Sequence, residues 1–373
     1  MMTERLRARQ TGLTVGDLSP GLHNAITDVP GVWVGHATLI AGEGPLIPGR
    51  GPVRTGVSVI LPHGGNLFRE KVPGAVLTIN GFGKACGFEE VRELGAIEAP
   101  IALTNTLNVG LVADALVQGA VRQSPEIGVL TGSVNVVVGE CNDGFLNDLQ
   151  GRHVRAEHVW AAIEGATSGP VLEGSFGAGT GTQCFGWNGG IGTASRVLPA
   201  EAGGFTVGAL VQSNFGRPRD LTILGVPVGR YLRPPEPSRA PAQDKGSIMI
   251  VLATDTPLDA RQLGRLCVRA GVGLARMGSH HMHGSGDFVI AFSTAYRIEH
   301  TPPSLTALRS ILADEPAEMA GLFTAIADCV EEAILNSLFR AVTTIGRDGN
   351  TRHALPLEEV IVLMRKYRPD LIA

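Results

Sequence analysis

The chain has 373 residues, 44% hydrophobic and 18% charged, long enough to bury one large core or two smaller ones. A formal charge of −4 without basic runs gives no electrostatic case for nucleic acid or a membrane surface, and 5% aromatics offer no stacking platform for single strands. Five scattered cysteines without a CxxC pair argue against a disulfide framework and a zinc ribbon. Met1 to Arg9 lack an apolar signal core and no run approaches membrane-spanning length, so a soluble, cytoplasmic protein is expected.

In chain order, residues 5–24 are polar and turn-rich, and residues 31–40 alternate like a strand. Residues 42–52, with four glycines and three prolines, form a loop. Strands follow at 56–61 and 75–80, and a turn at 80–84 leads into a helix through Phe88 and Leu94. Residues 101–105 make another strand; Val109 to Arg122 have helical spacing that Ser124-Pro125 stops. An apolar strand at 134–140 ends in a carboxylate, and a two-faced helix spans Val154 to Ala166. Residues 174–192 are the most glycine-dense stretch. They contain neither a GxGxxG leading into a long helix nor a Gly-Lys-Ser/Thr, so they read as tightly turning backbone beside a site.

Residues 205–214 form a strand ending in polar amides, and 233–246, with four prolines, are the one obvious linker. Strand 248–254 is followed by a helix start at Thr256-Pro257-Leu258-Asp259, proline in the first turn, with Leu263, Leu266, Cys267 and Ala270 as its apolar stripe. After a strand at 287–293, a long helix carries Met319, Phe323, Ile326, Val330, Ile334 and Leu338 on one face. A shorter helix begins near Leu357 with Val360, Ile361 and Met364. This alternation implies layered α/β, helices packed over a glycine-rich sheet.

Five stretches could carry chemistry. Gly246-Ser247 joins the polar linker to a buried strand, either as an ordinary turn or as a place where the chain cuts itself to expose a nucleophile. His280-His281-Met282-His283 could approach a metal, but without an HExxH pattern or an acid triplet a solvated loop competes. Ser285 and Asp287, two apart at a strand entry, point to one side, as a polar pair in a cleft or a simple turn. The carboxylates of Glu140 to Asp148 could hold a cationic group such as a substrate amine, or belong to a solvated turn. Asn214, at a strand end, could stabilise an oxyanion with its amide.

Ordered matches along nearly the whole chain resemble the DmpA-type L-aminopeptidase/D-esterase-amidase family, which includes the β-peptidyl aminopeptidases. They include Pro20-Gly21-Leu22-His23-Asn24-Ala25, Gly31-Val32-Trp33-Val34-Gly35-His36, Asn80-Gly81-Phe82-Gly83-Lys84, Leu103-Thr104-Asn105-Thr106-Leu107, Gly177-Ala178-Gly179-Thr180-Gly181, Gly190-Ile191-Gly192-Thr193-Ala194-Ser195-Arg196, Val211-Gln212-Ser213-Asn214-Phe215-Gly216 and Gly246-Ser247-Ile248. The resemblance implies an N-terminal-nucleophile hydrolase: one four-layer αββα domain over 1–373, with a connectivity shared with ornithine acetyltransferases. It implies self-cleavage into an α polypeptide 1–246 and a β polypeptide 247–373, and assembly as a homo-oligomer, a tetramer in some relatives. By the same resemblance Ser247 is the nucleophile, Ser285 and Asp287 the supporting serine and acid, Asn214 the oxyanion amide and Glu140 the holder of the substrate's free amine. One departure stands out: relatives carry a tyrosine in the Glu140 to Asp148 stretch, where Phe145 is the only aromatic here.

The activity implied is release of N-terminal amino acids from small peptides, amides or esters through an acyl-enzyme, with no cofactor and no metal. Glycine before the serine leaves the carbonyl open to attack. The α-amine freed by cleavage, with a reference pKa of about 7.7–8.0, can then act as the base. An acyltransferase similar to ornithine acetyltransferase is the alternative, against which a serine rather than a threonine nucleophile counts. A processed but inactive assembly protein is the third reading.

Overall fold

The computed structural model describes residues 5–235, 246–314 and 316–372. A small sheet holds β1 (Trp33–Ala41) and β2 (Val53–Leu61), and a larger one begins with β3 (Glu70–Gly81). Then come α1 (Phe88–Leu94), β4 (Ala96–Ile97), β5 (Ile101–Asn105), α2 (Val109–Gln123), β6 (Val137–Cys141) and α3 (Ala156–Glu164). Two short strands, β7 (Gln183–Cys184) and β8 (Trp187–Asn188), precede β9 (Ile191–Val197), β10 (Thr206–Asn214) and β11 (Ser247–Thr254). The chain ends with α4 (Ala260–Arg276), β12 (Gly286–Ser293), β13 (Ile298–Glu299), α5 (Pro316–Arg340), the hairpin β14 (Thr344–Ile345) and β15 (Thr351–Arg352), and α6 (Leu357–Tyr367).

The small sheet runs β1-β2-β5-β6 and the large one β13-β3-β12-β11-β10-β9, with β4 on β3. Helices α2 and α3 lie on the small sheet, α4 and α5 on the large one, and the sheets face each other where β6 meets β10 and β11. That is the expected αββα sandwich. Strand β11 shows why its sequence is apolar without alternation. Ile248, Ile250 and Leu252 pack into the core under α4 and α5, whereas Met249, Val251 and Ala253 pack into the core between the sheets. Both faces are covered, so both periods of the strand are hydrophobic. Each fully buried Ile or Leu there contributes about 1.5–3 kcal/mol.

Two expectations change. Within residues 174–192, read as turning backbone, Ile191 and Gly192 instead open β9, a buried strand of the large sheet paired with β10. Its glycine and polar residues hide the pattern because α5 presses on it: a Cβ on Gly192 would stand 1.9 Å from the Ala333 carbonyl oxygen. Helix α4 starts at Ala260 rather than at the proline. Asp259 is the residue before it, its side chain accepting from the Gln262 N–H at 2.7 Å. Pro257 therefore lies outside the first turn. Most of the expected linker, 236–245, lies outside the described residues. Among the described residues, no helix is long and apolar enough to cross a membrane.

Candidate active site

Ser247 is the first residue of a strand in the middle of the large sheet, and pairing fixes what stands beside it. Antiparallel β10 puts Asn214 opposite Ser247, and parallel β12 puts Gly286 opposite it on the other side. The Asn214 Nδ2 donates to Ser247 Oγ at 3.3 Å, and its Oδ1 accepts from the Gln183 N–H at 3.1 Å, which fixes which way the amide points. Gly246 has φ +81°, the left-handed region that a side chain would strain, so the glycine is required by the bend that leads into the strand. Its carbonyl oxygen accepts from the Gly286 N–H at 3.4 Å.

Ser285 and Asp287 meet as their spacing implies: the serine hydroxyl donates to Asp287 Oδ1 at 2.5 Å, and both side chains are buried. The histidine loop supplies a member that sequence reasoning left in solvent, because His281 Nδ1 lies 2.9 Å from Asp287 Oδ2. A hydrogen-bonded chain thus runs His281–Asp287–Ser285 along the edge of β12. Six residues separate His281 from Asp287, and His281 reaches back only because it takes a left-handed conformation at φ 46° that no spacing rule would flag. Among the described residues, no group of three or more His, Cys, Asp or Glu is placed to hold a metal ion.

Glu140 comes from the opposite sheet, at the end of β6, which crosses over β11. It is only 3% exposed, its Oε1 accepting from the Lys84 N–H at 3.0 Å and its Oε2 from the Thr106 hydroxyl. Lys84 and Thr106 were not singled out as site residues, since they arrive from two other connections. The competing solvated-turn reading of Glu140 to Asp148 fails, because Asp143 and Asp148 are as buried as Glu140. Burial pushes the Asp143 carboxyl up to about 7. Its Oδ2 is a buried acceptor without a hydrogen-bond donor.

A cavity of about 540 Å³ has Ser247, Gly246 and Glu140 in its wall beside Phe82 and Phe145, while Asn214, Ser285 and Asp287 stand behind that wall. The Arg352 guanidinium stacks on the Phe145 ring at 4.0 Å, so the ring is held in the wall by a cation–π contact. Phe145 has no hydroxyl to offer an oxyanion. Beside Ser247 the site presents the Asn214 amide as a donor.

Known proteins share this architecture over nearly its full length. The chain is 41% identical to the β-peptidyl aminopeptidase BapA of Sphingosinicella microcystinivorans, over 97% of this chain and 92% of that one. It superimposes on a crystal structure of a protein from Pyrococcus horikoshii OT3 with a TM-score of 0.91 at 50% identity, covering 97% of this chain and all of the other. The L-aminopeptidase D-Ala-esterase/amidase of Ochrobactrum anthropi, described as a prototype of the serine aminopeptidases and a variant of the N-terminal-nucleophile hydrolase fold, gives 0.88 at 38% identity, over 98% and 99% of the two chains. With the signature of Peptidase family S58 matching residues 24–352, the chain belongs to that family of hydrolases acting on peptide bonds.

Proposed function

We propose that the chain cuts itself between Gly246 and Ser247 and then works as an aminopeptidase on small peptides and amino-acid amides with a free N-terminus. The observation that carries the reading is the position of Ser247. It starts a central strand, follows a glycine that must be a glycine, touches Asn214 and shares a cavity with Glu140. In the first reaction Ser247 Oγ attacks the Gly246 carbonyl carbon, whose oxygen the Gly286 N–H already polarises. The peptide nitrogen leaves as the Ser247 amine, and water hydrolyses the resulting ester.

In turnover that amine, attached to the same residue as Oγ, takes the hydroxyl proton and needs little further positioning. Oγ forms the bond to the substrate carbonyl while the Asn214 amide steadies the developing oxyanion; such a donor is worth about 10²–10³ in rate. The proton passes to the leaving amine, with Ser285 and Asp287 orienting the Ser247 amine, and water releases the acyl group. Glu140 holds the substrate's ammonium as a charge-assisted pair in a water-poor wall. Assembly into a homo-oligomer is part of the proposal, supported by exposed Val129 and Leu130 on one surface loop.

Intact mass and N-terminal sequencing of the purified protein test it. Two polypeptides are expected, the smaller beginning at Ser247, with hydrolysis of an aminoacyl-p-nitroanilide. Ser247→Ala is expected to give one uncut chain without activity. A wild-type chain that stays whole yet hydrolyses substrate removes the mechanism, and acyl transfer without net hydrolysis removes the aminopeptidase reading.

A further inference from the structure

Two cations share the cavity with Ser247 and Glu140: Lys84 and Arg347. Arg347 sits at the tip of the β14–β15 hairpin, and that tip is clamped to two other cavity-lining loops. The Arg347 N–H donates to the Leu146 carbonyl at 2.9 Å and Asn350 Nδ2 to the Phe145 carbonyl at 2.8 Å. The Asp348 N–H donates to Gly44 O and its Oδ1 accepts from the Leu46 N–H, both at 2.8 Å. The arginine is therefore delivered to the wall on fixed backbone. Its Nε is buried and has no hydrogen-bond partner.

Among the described residues, no carboxylate lies within ion-pair distance of the Lys84 ammonium or the Arg347 guanidinium. The neighbouring acids are engaged elsewhere: Glu140 by Lys84 N–H and Thr106, Asp148 by His153 at 2.9 Å, and Asp348 by Leu46. A solvated surface arginine needs no partner, but one with a buried, unpaired donor on a clamped tip is short of an acceptor. In a concave site of this size, within the roughly 300–1,000 Å³ of small-ligand pockets, the fitting acceptor is a planar carboxylate.

We infer that Arg347, with Lys84 beside the same cavity, is a specificity residue that receives a carboxylate carried by the substrate, so that preferred substrates hold a free amine at Glu140 and a free acid at Arg347. This rests on the aminopeptidase reading. The acid has two sources, the C-terminus of a short peptide or an acidic side chain.

Steady-state kinetics of the processed enzyme on two matched pairs separate them. One pair is a dipeptide and its C-terminal amide; the other is a dipeptide amide with Glu or with Gln as its second residue. One pair, and so one source, is expected to favour the acid by about tenfold in kcat/KM, a preference that shrinks with added salt. Arg347→Gln is expected to bring that ratio within about twofold of one, Arg347→Lys to restore part of it, and Lys84→Gln to lower it less. Acid and amide turned over within twofold by the wild type, or a preference intact in Arg347→Gln, overturns the assignment while leaving the aminopeptidase reading standing. Hydrolysis of none of the four overturns both.

Discussion

Glu332 and Glu140 are buried almost equally, 0% and 3% exposed, yet they do opposite things. Glu332, on α5, is enclosed by protein donors: Arg196 Nη2 at 2.6 Å, Arg9 Nε at 3.0 Å and the Asn24 amide. Arg196 is itself fully buried, and its guanidinium also donates to the carbonyls of Ser195 and Val15. Glu140 has two neutral donors, Lys84 N–H and the Thr106 hydroxyl, and its remaining capacity faces the cavity. The charge in the first case is closed inside the fold and fastens the N-terminal segment to α5 and β9. In the second it borders the cavity, with no cationic side chain paired to it among the described residues.

If closure is what separates them, substitution should divide cleanly between stability and activity. Glu332→Gln leaves Arg196 and Arg9 without their counter-charge, and breaking such a buried pair costs about 3–5 kcal/mol. Denaturant unfolding is expected to show that loss, with activity per folded molecule retained. A change below about 1 kcal/mol would mean the network is solvated and the contrast false. Glu140→Gln is expected to shift unfolding little and to lower kcat/KM for free-amine substrates by about 10–100-fold, the worth of a charge-assisted hydrogen bond. Equal losses for a substrate with a blocked amine would show that Glu140 acts on something other than the ammonium.

The same contrast explains what the sequence made legible. Strands β10, β11 and β12 were readable because burial on both faces leaves runs such as Ile248 to Ala253 unbroken by polar residues. Ser247, Ser285, Asp287 and Asn214 were readable because each marks the polar end of such a run. Strand β9 was not, because Gly192, Thr193, Ser195 and Arg196 answer to partners on α5 and the N-terminal segment. Thr193 O accepts from Asn336, Ser195 N–H donates to Asn24, and Arg196 pairs with Glu332. These partners lie more than a hundred residues away, and hydrophobic periodicity carries no trace of them. Lys84, Thr106 and Arg347 were missed as site residues for the same reason: the crossing of two sheets, not local spacing, assembles the cavity they line.

Asp143 lies between the two extremes, an acid three residues from Glu140 that is enclosed like Glu332 but without a cation. Thr55, Asn105 and Asn147 face it, all of them neutral. Burial holds its folded carboxyl up to about 7, against an ordinary value near 3.9 in the unfolded chain. Between about pH 4 and pH 7 the folded state therefore keeps a proton that the unfolded state has lost, and stability falls as pH rises through that window. Above it, the folded state must hold a desolvated carboxylate whose Oδ2 has no hydrogen-bond donor. Asp143→Asn has no proton to lose. It is expected to remove Asp143's share of this slope and leave that of Glu173, whose carboxyl burial also raises to about 7, with little change at the acid end. Urea titrations of both proteins at pH 5 and pH 8 measure the difference. A slope equal in the two proteins would mean that Asp143 does not titrate in this window and is ionised, grouping it with the open acid and not the closed one.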